Sequence, residues 1–431
     1  MRREPGQLFF LVTQGCKVNQ YESQAIRETW IAQGLVETWD PGLADIVLIN
    51  SCAVTERAIL DLAKLVRGFA AICPKPWTVV AGCAVEADPE RVQGLPGVDE
   101  TLTQKGKWDL GDLTSRTGEA PFSAFTISDY NRARAVIKVQ DGCSHGCTYC
   151  IIPTTRGTSV SRDPGQVIAE CRRLLSAGIR EFALCGINLR QYGRDLSPRM
   201  DFWDLLAGVD RALAPEWAGR ARLRIGSLEP ADLHAKALAS LHASRLMSPH
   251  LHISLQSGST DVLRRMGRGH YDPTDIATFL ADLRGHWPVF GLGADLIAGF
   301  PGETDSCFQE TLELVSRLPL TYAHVFPYSE RPGTPAANFK DAVPGHLRRE
   351  RAKILRQVVE KKRLEFLRHL LTRPCMEVVL EDTSTGMNEF YVECRVEGAE
   401  NMQSRSLVPV APLGISPAGL VVRATENTAA L

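Results

Sequence analysis

DGCSHGCTYCIIP, residues Asp141 to Pro153, places three thiols, Cys143, Cys147 and Cys150, in a C-x3-C-x2-C spacing directly after the apolar run AVIKVQ. Three chemistries compete for such a loop: a structural zinc knot, a redox pair with a spare thiol, or an iron-sulfur cluster held by three protein ligands. Structural zinc takes four ligands, usually as two separated pairs, and the chain has no second C-x2-C. His145 is the candidate fourth ligand, but it sits awkwardly inside the tight loop. A 4Fe-4S cluster takes one ligand per iron, so three cysteines leave one iron open for chemistry.

The frame around the loop is large. With 431 residues, two or three domains are expected. The apolar fraction of 44% is that of a globular protein, and runs such as LFFLV fall far short of the roughly 20 residues of a membrane span. Pro5 and Gly6 interrupt any signal-peptide pattern, so a cytoplasmic protein is expected, with no membrane partner. Twelve cysteines in a reducing compartment point to metal, cluster, catalysis or plain burial. A net charge of −1 argues against a chain that coats nucleic acid over its whole surface and leaves room only for a local basic face.

Strand and helix patterns alternate from residue 7 to about 105: QLFFLVT, a helix from Tyr21 to Gln33, ADIVLIN, a helix from Glu56 to Ile72, WTVVAG, and a short helix near Pro89. Strands separated by crossover helices predict a doubly wound parallel sheet. An α/β domain is therefore expected over 1–112, followed by a Ser, Thr and Gly-rich linker over 113–131. From Ala135 the runs AVIKVQ, REFALC, RLRIGS, HLHISL, GLGADLI and TYAHVF recur with helices between them, predicting a full or partial (β/α) barrel that together with a long helix from Gly345 to Leu371 fills 132–371. Asp163-Pro164 is a good helix opening. Residues 372–431 switch to short alternating runs, MEVVL, EFYVECRV, SLVPV and GLVVRA, which predict a small antiparallel β-barrel.

A second set of thiols follows three strand ends: Cys16 after LFFLVTQG, Cys52 after IVLINS and Cys83 after TVVAG. Neighbouring strands of a parallel sheet bring their carboxyl ends side by side, so three cysteines far apart in sequence can meet there. Cysteine is also a common buried residue, and Cys73, Cys171, Cys185, Cys307, Cys375 and Cys394, inside helices or strands without partners, read that way. The barrel strands end in polar sets: Asn188 in CGIN, Ser227 and Glu229 in SLEP, Gln256 and Ser257 in SLQSGS, Ile297 and Glu303 in ADLIAGFPGET, and Ser329 and Arg331 in FPYSERPGT. Side chains at strand carboxyl ends form the active face of such barrels.

C-x3-C-x2-C after the first strand of a (β/α) barrel resembles the radical S-adenosylmethionine (SAM) superfamily. GCKVNQYES, NSCAVTERA, AGCA, GCSHGCTYCIIP, QSGS and YSERPGTPA, in this order along nearly the whole chain, resemble the methylthiotransferases within it. The resemblance implies a barrel-loop 4Fe-4S cluster on Cys143, Cys147 and Cys150 whose open iron chelates SAM, an auxiliary 4Fe-4S cluster on Cys16, Cys52 and Cys83, and a TRAM-type C-terminal barrel. It assigns Tyr149, Asn188, Ser227, Glu229, Gln256, Ile297 and Arg331 to binding SAM or substrate and names no general acid or base, the open irons carrying the chemistry. It also implies an electron donor of flavodoxin or ferredoxin type. In the family, one SAM methylates sulfur on the auxiliary cluster and a second yields a 5′-deoxyadenosyl radical that opens an unactivated C-H bond.

Family substrates are two hypermodified adenosines beside the tRNA anticodon, one threonylcarbamoylated and one isopentenylated, and an aspartate of a ribosomal protein. GCKVNQYES and RIGSLEP look most like the members acting on N6-threonylcarbamoyladenosine. A reading of another class is a non-catalytic iron-sulfur or zinc protein that binds RNA. For a tRNA contact, the span Gly345 to Thr372 carries nine Lys or Arg against three Glu, and Arg348, Arg349, Arg351 and Lys353 are its candidate phosphate ligands. The competing expectation is a solvated helix face over an apolar stripe of Leu347, Ile354, Val358 and Leu367. From Arg373 onward four Arg face eight Asp or Glu, which is unlike an RNA-gripping module. Any RNA contact there falls to a small surface such as Arg395 and Arg405.

Overall fold

The computed structural model describes residues 4–110 and 125–425. They divide into two compact units: Met1–Ser128 with Lys138–Arg162 and Ser329–Asn338, and Asp129–Ile137 with Asp163–Tyr328 and Phe339–Leu431. The division does not follow chain order, because the cysteine loop at 143–150 packs with the N-terminal unit. Of the expected linker, residues 113–124 lie outside the described residues.

The first unit is built on β1 (Leu8–Thr13), α1 (Lys17–Ala32), β2 (Val36–Glu37), β3 (Ile46–Ser51), α2 (Glu56–Ala70), β4 (Trp77–Gly82), α3 (Cys83–Ala87), α4 (Pro89–Gln93), β5 (Glu100–Leu102) and α5 (Gln104–Leu110). Its strands form one parallel sheet in the order β2-β1-β3-β4-β5. All six residues of β3 are buried, as the run IVLINS demands of a strand covered on both faces. α1 starts four residues before the expected Tyr21. Its first turn is polar, yet Val18, Asn19, Tyr21 and Glu22 are all buried. Cys73 lies beyond the end of α2 and is exposed, against the expectation of burial, while Cys171, Cys185 and Cys394 are buried.

The cysteine loop hangs between β7 (Gln140–Asp141) and β8 (Val160–Ser161), an antiparallel pair that follows β6 (Arg134–Lys138). α6 (Ile152–Arg156) lies within it.

In the second unit α7 (Pro164–Ser176) opens on Asp163, whose carboxylate accepts the Gln166 N–H at 3.0 Å, as the Asp-Pro pair predicted. There follow β9 (Glu181–Cys185), α8 (Phe202–Trp217), β10 (Arg222–Ile225), β11 (Ser227–Leu228), α9 (Ala235–Ala243), β12 (His250–Gln256), α10 (Thr260–Arg265), α11 (Asp275–Arg284), β13 (Gly291–Ala298), α12 (Asp305–Arg317) and β14 (Tyr322–Pro327). The strands run β10-β9-β6 and β11-β12-β13-β14, with only Gly226 between β10 and β11. This is the predicted partial (β/α) barrel. α13 (Gly345–Leu370) has the expected length, but Leu355 and Val359 form its buried stripe with Leu367 and Leu370, whereas Ile354 and Val358 are half-buried.

The C-terminal strands β15 (Met376–Leu380), β16 (Thr385–Asn388), β17 (Glu393–Glu397), β18 (Leu407–Ile415) and β19 (Leu420–Ala424) close as β15-β16-β17-β19-β18. Leu367 and Leu370 of α13 pack into its core with Met376, Val378, Phe390 and Val410. The alternation reading missed β16, since TGMN carries no apolar period. Gly386 is required there because a Cβ would strike Val378 and the Val379 carbonyl.

A buried ion cluster fixes this small barrel to β10. Glu181 pairs with Arg222 at 2.6 Å and Arg224 at 2.8 Å, and the same guanidinium groups donate to the carbonyls of Glu377, Met387, Asn388 and Glu389. Burial alone would push the Glu181 carboxyl up, but Arg224 and Arg222 outweigh it and hold it down to about 2. A depressed carboxylate contributes stability that is present above its ordinary value and lost as pH falls through about 2. Glu181→Gln leaves two buried guanidinium groups without their counter-ion and is expected to cost about 3–5 kcal/mol in chemical denaturation near neutral pH. The gap between variant and wild type should close on acidification below pH 4.

Candidate metal centres

Parallel registers place Thr13 opposite Asn50, and Asn50 opposite Ala81, so β1, β3 and β4 end nearly level. Cys16, Cys52 and Cys83 follow these ends and come together. Gly15, at φ +85°, is what lets them: a Cβ there would stand 2.7 Å from both Cβ and Sγ of Cys52. Gly82, at φ +98°, turns the chain under Asn50 and Ser51 in the same way. Cys16 is the N-cap of α1, and Cys83 opens α3.

Polar side chains between the strands hold the three loops in place. The Asn19 amide donates to the carbonyls of Gln14 and Ser51, both at 2.9 Å. The Asn50 amide donates to the Asn19 carbonyl and to Ser23 Oγ, both at 3.0 Å. Ser51 Oγ donates to the Ala81 carbonyl at 2.6 Å and accepts the Ala84 N–H at 3.2 Å. Gln104 donates from Nε2 to Cys83 Sγ at 3.2 Å. Burial pushes the Cys52 thiol up to about 11, and the neighbouring Cys16 and Cys83 add to the rise. Burial pushes the Cys16 thiol up as well.

The second trio lies in the same unit. Gly142, at φ +66°, starts the loop where any Cβ would run into the Thr158 carbonyl. Cys143 is buried and its Sγ accepts the His145 N–H at 3.4 Å, while Cys147 and Cys150 are half-buried. The Ala336 N–H donates to the Thr148 carbonyl at 2.8 Å, so the segment after Arg331 straps the loop. None of the six cysteines is in a disulfide. Among the described residues no three His, Cys, Asp or Glu side chains converge on a point that one metal ion could occupy. Three thiolates can each hold one iron of a 4Fe-4S cube and leave the fourth open.

Between the two trios lies an ionic group absent from the sequence expectations. Glu22 pairs with Lys107 at 2.6 Å, Lys138 at 2.8 Å and Arg156 at 3.0 Å, and Asp141 pairs with Lys138 at 2.9 Å and Arg156 at 2.8 Å. Burial would raise the Glu22 carboxyl, but Arg156, Lys107 and Lys138 together hold it well below the carboxylate range. A charged residue on an amphipathic helix ordinarily reads as solvated, so no sequence signal marked it.

The expected residues at the barrel strand ends divide. Asn188 and Glu229 meet, with the amide donating to the carboxylate at 3.1 Å; His270 at 3.0 Å and Arg268 at 3.4 Å join them, and neither carried a motif. Burial and the adjacent Glu229 push the Asp232 carboxyl up to about 7. Gln256 takes φ +63°, an unusual conformation for a non-glycine residue, at a register shift in β12. Ser227 is exposed, and Ile297 and Tyr149 are half-buried. Arg331, in the first unit, is buried and pairs with Glu56 at 3.1 Å. On α13 the expected phosphate ligands are unequal: Arg351 is buried against Glu303 and Asp305, Arg348 donates to the carbonyls of Val343 and Tyr328, and Arg349 and Lys353 are exposed.

Residues 137–315 match the Radical SAM superfamily, and residues 8–103 match an uncharacterized protein family, UPF0004. The threonylcarbamoyladenosine tRNA methylthiotransferase MtaB of Thermotoga maritima is 32% identical over 398 residues, covering 88% of this chain and 89% of that one. Its Rickettsia prowazekii counterpart is 33% identical over 400 residues, covering 90% and 91%. The tRNA-2-methylthio-N(6)-dimethylallyladenosine synthase of Agrobacterium fabrum is 31% identical over 397 residues, covering 86% of each chain. Among solved structures, the radical S-adenosylmethionine methyltransferase TsrM from Kitasatospora setae, with cobalamin and a 4Fe-4S cluster bound, aligns with a TM-score of 0.57 at 14% identity, covering 77% of this chain and 74% of that one, a likeness of fold. With two cysteine trios set on such a frame and relatives matched over nearly its full length, the chain belongs to the methylthiotransferase family of radical SAM proteins.

Proposed function

We propose that this protein transfers a methylthio group to carbon 2 of N6-threonylcarbamoyladenosine in tRNA, using two 4Fe-4S clusters and SAM. The observation that carries the reading is the meeting of Cys16, Cys52 and Cys83 at the ends of β1, β3 and β4, in the same unit as the Cys143, Cys147 and Cys150 loop. When bound, the clusters and SAM supply the radical and sulfur chemistry that no side chain can. The protein holds six thiolates in position, with Cys52, Cys83 and Cys143 buried. Asn188, Glu229, Arg268 and His270 form a preorganised polar set suited to orienting an amino acid group or a ribose, and we assign it, with Tyr149, Ser227, Gln256 and Ile297, to positioning SAM or substrate. Arg331, which pairs with Glu56, is assigned to the same role. A cytoplasmic setting and an electron donor of flavodoxin or ferredoxin type belong to the same proposal.

The similarity to the dimethylallyladenosine synthase keeps a second substrate in view. Mass spectrometry of tRNA nucleosides from a deletion strain separates the two. Loss of the 2-methylthio mark from threonylcarbamoyladenosine alone is expected; loss from isopentenyladenosine alone overturns the assignment.

Anaerobically reconstituted wild type should hold about eight irons per chain. Cys52→Ala and Cys147→Ala should each hold about half of that. The Cys147 variant should lose reductive SAM cleavage, while the Cys52 variant should keep it and form no methylthiolated product. For tRNA binding, replacing exposed Arg349 and Lys353 by Ser is expected to weaken affinity and lower the salt slope by about one to two units, since each phosphate contact contributes about one. Arg351→Ser should instead lower thermal stability, because it strands Glu303.

A further inference from the structure

The ionic group beside the cysteines is dry. Lys107, Lys138 and Arg156 share Glu22 and Asp141, and all five side chains are between 0% and 6% exposed. A polar atom left without a partner in such an interior is costly. Arg156 carries one. Its NH1 donates to Glu22 and Asp141, and its NH2 to Asn19 at 2.6 Å and Glu22 at 3.2 Å. Its Nε–H is buried and has no partner. Cys83 and Cys16 are among the groups near enough to act on this guanidinium.

Its chain position is informative. Arg156 ends α6, six residues past Cys150, yet α6 packs against α3, the helix that Cys83 opens. The Asn19 side chain it binds in turn grips the carbonyls of Gln14 and Ser51, neighbours of Cys16 and Cys52. A residue from the loop of one trio is thereby built into the wall of the other.

We propose that Arg156 is a positioning residue of the auxiliary centre, whose charge and free Nε–H serve the metal-sulfur group on Cys16, Cys52 and Cys83. This rests on the auxiliary-cluster reading above. A cube ligated by three thiolates carries net negative charge and gains more on reduction, and a cation with a hydrogen bond to sulfur stabilises the reduced state. Arg156 therefore raises the auxiliary potential. It also ties the geometry of one cysteine loop to that of the other.

The test uses the full chain in a Cys143→Ala, Cys147→Ala, Cys150→Ala background, so that only the auxiliary cluster reports. Its midpoint potential is measured by dye-mediated titration with electron paramagnetic resonance, beside pulsed spectra of protein labelled with 15N-arginine. Arg156→Gln is expected to shift the reduced-to-oxidised ratio at least tenfold toward oxidised, about 59 mV for one electron. Arg156→Lys keeps the charge and lacks the guanidinium Nε–H, so it should hold iron, recover most of the potential and lose the 15N coupling. If Arg156→Gln folds and loads poorly, the lysine variant still decides. A cluster whose potential moves less than threefold in Arg156→Gln, or a lysine variant that matches wild type in both potential and pulsed spectrum, overturns the proposal. No cluster at all with Arg156 intact overturns the auxiliary-cluster reading itself, and this inference with it.

Discussion

Parallel pairing of β1, β3 and β4 is the constraint on which the rest depends. The registers fix Thr13, Asn50 and Ala81 in one row, and everything attached to those ends must share a small space. Three cysteines each two or three residues beyond that row have little freedom left. The glycines at 15 and 82 are needed because the loops approach closer than a Cβ allows. The amides of Asn19 and Asn50 then satisfy the carbonyls that such tight turns leave exposed, which keeps a wet, polar seam from opening beside the thiols.

Much of this was legible. Apolar runs located β1, β3 and β4 of the parallel sheet and nearly every strand of the partial barrel, since a strand covered on both faces needs an unbroken hydrophobic run, whereas the short edge strands β2 and β5 carry none. Strand ends carrying cysteine could be matched because parallel sheets gather their carboxyl ends. Asp163-Pro164 marked a helix start that the structure keeps. The C-terminal barrel was visible through four of its five strands.

What stayed hidden was set by tertiary burial of polar groups. Glu22, Lys107, Lys138 and Arg156 look like solvated charges on short amphipathic elements, and only packing shows them fully enclosed. Arg351 read as one of several basic residues on a helix face, whereas it is consumed by Glu303 and Asp305. The apolar stripe of α13 was displaced by one residue, from Ile354 and Val358 to Leu355 and Val359, a shift of about 100° that periodicity alone does not resolve. His270 and Arg268 reach Glu229 from a turn with no motif.

The ionic group around Glu22 has a consequence for synthesis on the ribosome. Its members come from residues 22, 107, 138, 141 and 156, so a nascent chain that has emerged only as far as α5 owns one carboxylate and one ammonium of the five. The N-terminal sheet cannot seal this interior until the segment bearing Asp141 and Arg156 arrives, because each missing partner leaves a charge to be solvated. Metal-delivery machinery would therefore meet either a pocket still open to water or a chain in which both sulfur-ligand sets have already been translated.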